Sequence, residues 1–323
     1  LFVKCRCQAL EIEKRFIMSL YFIADLHNHT TASDGEYTPT ELVNKARDLG
    51  LTAVGVTDHD TLAGLDEALA AGEKAGILVV PGVEVSLRFR RPYFIGTLHY
   101  LLYIPRDLLD DGEFRKMASG IFSQGRGAGL VRARVQAINE EFGPRGISQL
   151  LERDLTAEEI EALSPNVTRR HFAGALKENH GLDKEQINML IGNDSVSYVP
   201  SGIEPFQLTP LLKKYPQLVR VFAHPAAGSY PGESLYREVL PPIEVVERLM
   251  PEFLDEDILG LDGLEVFYPG HVQEHRDLIA QWSAEYGLIE TGGSDCHDGV
   301  DRPLGVDGLD AGRFAIFLDR LGN

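Results

Sequence analysis

Short apolar runs in this chain repeatedly end in an imidazole or a carboxylate, and that repetition constrains the fold more than any other feature. Residues 20–26 run into His27 and His29, with Asp34 close behind, and residues 52–56 run into His59. Residues 77–80 lead to Glu84, residues 98–104 carry His99 near their start, residues 218–223 end at His224, and residues 288–294 end at Asp295 and His297. A closed barrel of strands and helices delivers side chains to a common mouth in this way. Imidazoles with carboxylates at such a mouth imply a polynuclear metal centre with hydrolytic chemistry.

The segments between these runs read as helices. Thr38-Pro39-Thr40-Glu41 predicts a capped start, with Thr38 as cap and Glu41 reaching back to it, for a helix over 39–49 that stops at Gly50. An alanine-rich helix over 62–75 ends at Gly76. This strand and helix rhythm predicts an α/β protein with a parallel sheet and outer helices, and polar residues at the strand ends mark its catalytic face.

From 106 to 212 the pattern turns mostly helical and highly charged, with Glu158, Glu159 and Glu161 in one run and Arg126, Arg132, Arg134, Arg169 and Arg170 as basic punctuation. We expect an inserted helical subdomain covering the barrel mouth as a substrate cap. The barrel resumes with strands near 218–224, 261–267 and 288–292 and a helix over 272–286. Residues 228–260, with Tyr230-Pro231-Gly232, Pro241-Pro242 and Pro251, read as a loop followed by a helix, and a short apolar helix after Leu304 can close the barrel wall. Residues 18–323 thus form one interrupted barrel. Residues 1–17 precede the first methionine, Met18, and read as a loose extension or a start-site artefact.

Composition narrows the partners. With 31 basic against 49 acidic residues the net charge is −18, which opposes adhesion to long duplex nucleic acid or anionic membrane. A small phosphorylated nucleotide or a short oligonucleotide must instead be caught locally. The cysteines Cys5, Cys7 and Cys296 are too few for a disulfide framework and fit a reducing cytoplasm, and the Cys5/Cys7 pair is assigned no metal.

His27 and His29 are alternate residues of an extended segment and share a face, as do Asp295 and His297. Glu84 can bridge two ions through its two oxygens, and Asp295 can do the same, whereas a neutral imidazole serves one ion. Together His27, His29, Asp34, His59, Glu84, His99, His224, Asp295 and His297 outnumber the ligands of one ion and suit two or three divalent ions. Zinc, manganese and iron all fit this donor set. Ions about 3.5–4 Å apart can bring the pKa of a shared water towards about 7 and neutralise a phosphoryl oxygen, so in-line hydrolysis of a phosphate ester follows, with Glu84, Asp295 and His224 as catalytic candidates. Arg134 and Arg169 are candidate phosphate clamps. His180 and His275 read as solvated helix or turn residues, and His271 as a turn residue.

The motifs Asp25-Leu-His27-Asn-His29-Thr30, Thr57-Asp-His59-Asp-Thr61, Pro81-Gly-Val-Glu84, Ala223-His224-Pro225 and Gly293-Ser-Asp295-Cys-His297, with His99, resemble those of the PHP (polymerase and histidinol phosphatase) phosphoesterases. The resemblance implies a distorted (β/α)7 barrel with a trinuclear site on the residues above. Within that family, Arg169 to Ala173 and the arginines of the insertion resemble the stand-alone nucleoside 3′,5′-bisphosphate phosphatases and 5′-3′ exoribonucleases, which would turn Arg134, Arg169 and His171 towards phosphates. The expected reaction is removal of the 3′-phosphate from nucleoside 3′,5′-bisphosphates, with trimming of short 5′-phosphorylated RNA. Histidinol phosphate hydrolysis is the alternative. A non-catalytic metal-binding scaffold would be expected to have lost ligands, and here the set is complete.

Overall fold

The computed structural model describes residues 22–322 apart from 193, 233, 235 and 237–239. The expected extension at 1–17 and the start of the first expected strand lie outside the described residues. Seven strands lie in one sheet in chain order: β1 (Ala24–Asp25), β2 (Ala53–Val56), β3 (Leu78–Arg91), β4 (Phe94–Tyr103), β5 (Val219–Phe222), β6 (Gly263–Phe267) and β7 (Ile289–Gly292). The two edges then meet. Leu26 N donates to Gly292 O at 3.2 Å, Asp295 N to His27 O at 2.8 Å and His29 N to Cys296 O at 2.9 Å, so the sheet curls into a nearly closed barrel.

The barrel is an α/β structure with one departure from the expected parallel sheet. β4 runs antiparallel to both β3 and β5, while the remaining pairs are parallel. β3 also continues well past Glu84, because Val83, Val85, Leu87 and Phe89 go on burying one face while Glu84 and Ser86 occupy the other. Glu84 is therefore a mid-strand residue. Reversal of β4, which begins at Phe94 and so leaves His99 in mid-strand, carries its first half to the end of the barrel where the parallel strands finish.

Alternation along the strands separates two cores. Ala24, Ala53, Val80, Leu101, Tyr103, Val219 and Val221 cluster inside the barrel with Phe314, Phe317 and Leu321 of the C-terminal helix Ala311–Leu321. That helix seals the end opposite the imidazoles. Outward-facing residues such as Val54, Val83, Tyr100 and Phe222 meet the surrounding helices. The predicted capping box is present in helix Pro39–Leu49, where Thr38 and Glu41 satisfy each other's backbone N–H and left-handed Gly50 ends it.

Between β4 and β5 the chain is helical. Helices Gly112–Phe122 and Pro205–Lys214 pack on the barrel through Phe114, Ala118, Leu208 and Leu211. Val131, Ile138, Phe142, Leu155, Phe172, Leu176 and Leu190 form a separate cluster from helices Ala128–Phe142, Arg169–His180 and Lys184–Ile191. His180 is packed into this unit rather than solvated, its ring 3.5 Å from Glu159 Oε1, because its helix ends against the segment carrying that acid. Residues 228–260 contain the helix Ile243–Leu254, which buries Val246, Leu249, Met250 and Phe253. No helix among the described residues is long and apolar enough to cross a membrane.

Candidate metal centre

Glu84 stands at the centre of the barrel mouth. Its Oε1 lies 2.9 Å from His99 Nδ1, 3.0 Å from His224 Nε2 and 3.3 Å from His27 Nε2, and its Oε2 lies 3.1 Å from both His29 Nε2 and His59 Nδ1. Asp295 Oδ1 is 3.2 Å from His29 Nε2, and Asp34 Oδ1 is 3.5 Å from His297 Nε2. Three overlapping groups keep their donor atoms within 4.8 Å of one another: His29, Asp34, His59 and His297; His27, His29, Glu84 and Asp295; His59, Glu84 and His99. His224 joins through Glu84. The structure thus gathers all the sequence-selected ligands around one point.

Burial makes the arrangement costly unless something cationic fills it. His27 Nε2, His29 Nε2, His59 Nδ1, Asp34 Oδ1 and Glu84 Oε2 are buried and make no hydrogen bond. Each would ordinarily carry a desolvation penalty of about 1–3 kcal/mol, and ions between them would satisfy them together. Burial opposes charge on Glu84, yet His99, His27 and His59 and the His224 hydrogen bond hold its carboxyl well below the usual range. Burial likewise opposes charge on His29, but Asp295 and Glu84 outweigh it and push its pKa up to about 10. Protons and divalent ions therefore compete for the same donors.

Local backbone geometry is unusual at two of the candidate ligands. His224 and Asp295 have φ of 30° and 51°, left-handed values rare for residues with a side chain. Their neighbours hold them there. His224 N donates to Glu265 Oε2 at 2.8 Å, and Asp295 accepts from Arg302 at 2.8 Å and from the Tyr268 hydroxyl at 3.2 Å. At Gly293 a Cβ would stand 2.3 Å from His27 N, so only glycine lets β7 approach the first ligand strand so closely. His271 closes the turn after Tyr268 through its backbone N–H, 3.0 Å from Tyr268 O, but its ring ties two segments together, accepting from Ala226 N and donating to Val266 O, and burial pushes its pKa down to about 3.

A cavity of about 250 Å³ opens over the cluster. Asp34, His59, Glu84, His99, Asp295 and His297 line its floor, and Arg126, Arg169, Arg170 and Arg302 line its walls. Arg126 pairs with Asp60, Arg170 with Asp298 at 3.1 Å and Arg302 with Asp295. Of the sequence-selected clamps, only Arg169 lines this cavity. Arg134 is buried instead, with Nε donating to Val199 O at 2.9 Å and its guanidinium over the Phe172 ring, beside a smaller space that shares Arg169. His171 turns back to accept the Thr168 N–H at 2.9 Å as part of its own helix cap. Arg126, Arg170 and Arg302 went unselected because a single arginine in a loop or cap has no distinguishing spacing, and Glu265 because Gly263-Leu-Glu-Val-Phe267 reads as ordinary alternation.

Buried imidazoles around shared carboxylates at the mouth of an α/β barrel define a metal-dependent hydrolase architecture. The chain belongs to the PHP domain family, which its residues 25–215 match. Among characterised relatives, it is 28% identical to a 5′-3′ exoribonuclease of Haemophilus influenzae over 84% of this chain and 89% of that protein. It is 28% identical to a phosphoribosyl 1,2-cyclic phosphate 1,2-diphosphodiesterase of Eggerthella lenta, over 85% and 94%, and 29% identical to a 3′,5′-nucleoside bisphosphate phosphatase of Chromobacterium violaceum, over 84% and 86%. Its fold matches that of a Bifidobacterium adolescentis protein described as a candidate metal-dependent phosphoesterase, with a TM-score of 0.68, 27% identity and coverage of 92% and 96%.

Proposed function

We propose that this chain, a phosphoesterase of the PHP family, removes the 3′-phosphate from nucleoside 3′,5′-bisphosphates and trims short 5′-phosphorylated RNA. The observation that carries this reading is the pairing, in one cavity, of the metal-ligand cluster with four guanidiniums: Arg126, Arg169, Arg170 and Arg302. With one phosphate at the cluster, Arg126, Arg170 and Arg302, held in place by Asp60, Asp298 and Asp295, line the wall where the remaining guanidinium donors would meet a second phosphate. The bisphosphate phosphatase and exoribonuclease relatives support the same substrate class.

Two or three divalent ions, manganese, zinc or iron, would be held by His27, His29, Asp34, His59, Glu84, His99, His224, Asp295 and His297. Bound there, they supply Lewis acidity towards a phosphoryl oxygen and acidify a water. Glu84 and Asp295 would fix the spacing of the donors, the arginines would donate to the equatorial oxygens of the reacting phosphate, and a site histidine would pass a proton to the departing oxygen. The helical segment 106–212 acts as the substrate cap, since it contributes Arg126, Arg169, Arg170 and Asn188 to the cavity wall. The buried Cys296 thiol suits a cytoplasmic setting.

The test is a manganese-supplemented assay that follows inorganic phosphate released from adenosine 3′,5′-bisphosphate, phosphoribosyl 1,2-cyclic phosphate and histidinol phosphate, and mononucleotide released from a 5′-phosphorylated trinucleotide. Turnover of the bisphosphate and the trinucleotide is expected. The Eggerthella lenta relative makes the cyclic phosphate a second reading, and release only from it, or only from histidinol phosphate, overturns the nucleotide assignment. Silence on all four leaves a metal-binding scaffold.

A further inference from the structure

Glu265 lies on β6, fully buried; its neighbours Leu264 and Val266 belong to the outer core, so its carboxylate faces the barrel interior, next to the cluster but not in the cavity lining. Its Oε1 and Oε2 are 3.0 and 3.2 Å from His27 Nδ1, and Oε2 accepts the backbone N–H of His224 at 2.8 Å. One carboxylate therefore holds a ligand just beyond β1 and another just beyond β5. Both rings then turn their Nε2 atoms to the same oxygen of Glu84, at 3.3 and 3.0 Å.

We infer that Glu265 is a positioning residue for the metal centre: it keeps the proton of neutral His27 on Nδ1, leaves Nε2 as the metal donor, and pins the left-handed backbone of His224. The chemistry is that of an imidazole whose remote nitrogen donates to a carboxylate, which fixes the ring tautomer and raises the basicity of the other nitrogen. A carboxylate suits the place because both of its neighbours are donors, His27 Nδ1 reaching both oxygens and His224 N only Oε2. A glutamine in the same place has one accepting oxygen and one NH2. With the NH2 at the Oε1 position it confronts His27 Nδ1–H at 3.0 Å, and with the NH2 at the Oε2 position it confronts His224 N–H at 2.8 Å. Relief of the first clash moves the His27 proton to Nε2, where no metal can bind. Relief of the second releases the His224 backbone.

This inference rests on the metal-centre reading, and calorimetric titration of chelator-treated protein with Mn2+ separates the two. Glu265→Gln is expected to weaken the affinity about 10- to 100-fold with an unchanged far-ultraviolet spectrum, while Glu265→Asp, which keeps two acceptors, recovers part of the loss. A folded Glu265→Gln protein that binds Mn2+ within twofold of wild type overturns the inference alone. A wild-type chain that binds no Mn2+ overturns the metal centre and this inference with it. Should Glu265→Gln not fold, the wild-type protein loaded with Zn2+ gives the answer by 1H–15N correlation of its histidine rings, His27 being identified by its loss in His27→Gln. A protonated Nδ1 beside a zinc-shifted Nε2 at His27 supports the role, and the reverse tautomer overturns it.

Discussion

Replacing Glu84 by Gln tests the metal centre at the atom on which it converges. The substitution keeps the shape and removes one negative charge that lies within 3.3 Å of a nitrogen from each of five histidines. At an effective dielectric of about 20, a unit charge pair near 4 Å is worth about 4 kcal/mol. A divalent ion feels more, and the retained amide oxygen offsets part of the difference. The net expectation is about 4 kcal/mol, roughly a thousandfold in affinity at about 1.4 kcal/mol per factor of ten. Chelator-treated wild type and variant would be titrated calorimetrically with Mn2+, and the metal content after gel filtration counted by elemental analysis. Since a ligand binding only the folded state at about 100 times its Kd stabilises by about 2.7 kcal/mol, the rise in melting temperature on adding Mn2+ should also shrink or vanish. Full metal content with an affinity within tenfold of wild type would show that Glu84 is not a shared ligand and refute the reasoning.

Other outcomes follow from single contacts. Gly293→Ala drives a Cβ against the backbone nitrogen of His27, so a loss of about 1–3 kcal/mol in denaturant unfolding is expected together with weaker Mn2+ binding; an unchanged midpoint and affinity would deny the close approach. Arg134→Ala should lower the melting temperature, because the guanidinium is buried on Val199 O and Phe172, with little change in KM, whereas Arg170→Ala should raise KM for bisphosphates with metal content intact. The opposite pattern would return Arg134 to the substrate. Asp298 is buried, which opposes its charge, but the N–H groups of Arg302, Val300 and Asp301 and the Arg170 guanidinium hold its pKa down to about 2. A carboxyl depressed below its unfolded value near 3.8 contributes stability that is present above about pH 4 and lost as pH falls towards 2. Asp298→Asn should therefore be destabilised at neutral pH and show a shallower acid loss than wild type, as followed by thermal melts between pH 2 and 6.

Much of the site was legible because its ligands fall at or near the ends of apolar strands, where His27, His59, His224 and Asp295 interrupt an otherwise hydrophobic pattern. The box at Thr38 and Glu41 was legible for a similar reason: capping is a local matter of hydrogen bonds three residues apart. Strand direction was not. Alternation reads the same in both directions, so nothing in Phe94–Tyr103 announces that it runs against its neighbours, and the hairpin that sets His99 beside Glu84 emerges only from pairing. Arg134 and His171 show the converse, since the structure places both away from the cavity lining. Both carry the right chemistry in the right segment, yet one stabilises the helical unit from within and the other caps its own helix. Glu265 escaped notice because its partners, His27 and His224, lie 238 and 41 positions away.

Because β1 and β7 seal the barrel against each other, donors about 270 positions apart in the sequence become neighbours only when the seventh strand docks. A growing chain holds His27, His29 and Glu84 well before Asp295 and His297 are made to join them. Such long-range closure is slow compared with local helix formation. The donor cluster is thus complete only after β7 has formed, and a chain that stops before Asp295 lacks two of its nine candidate ligands.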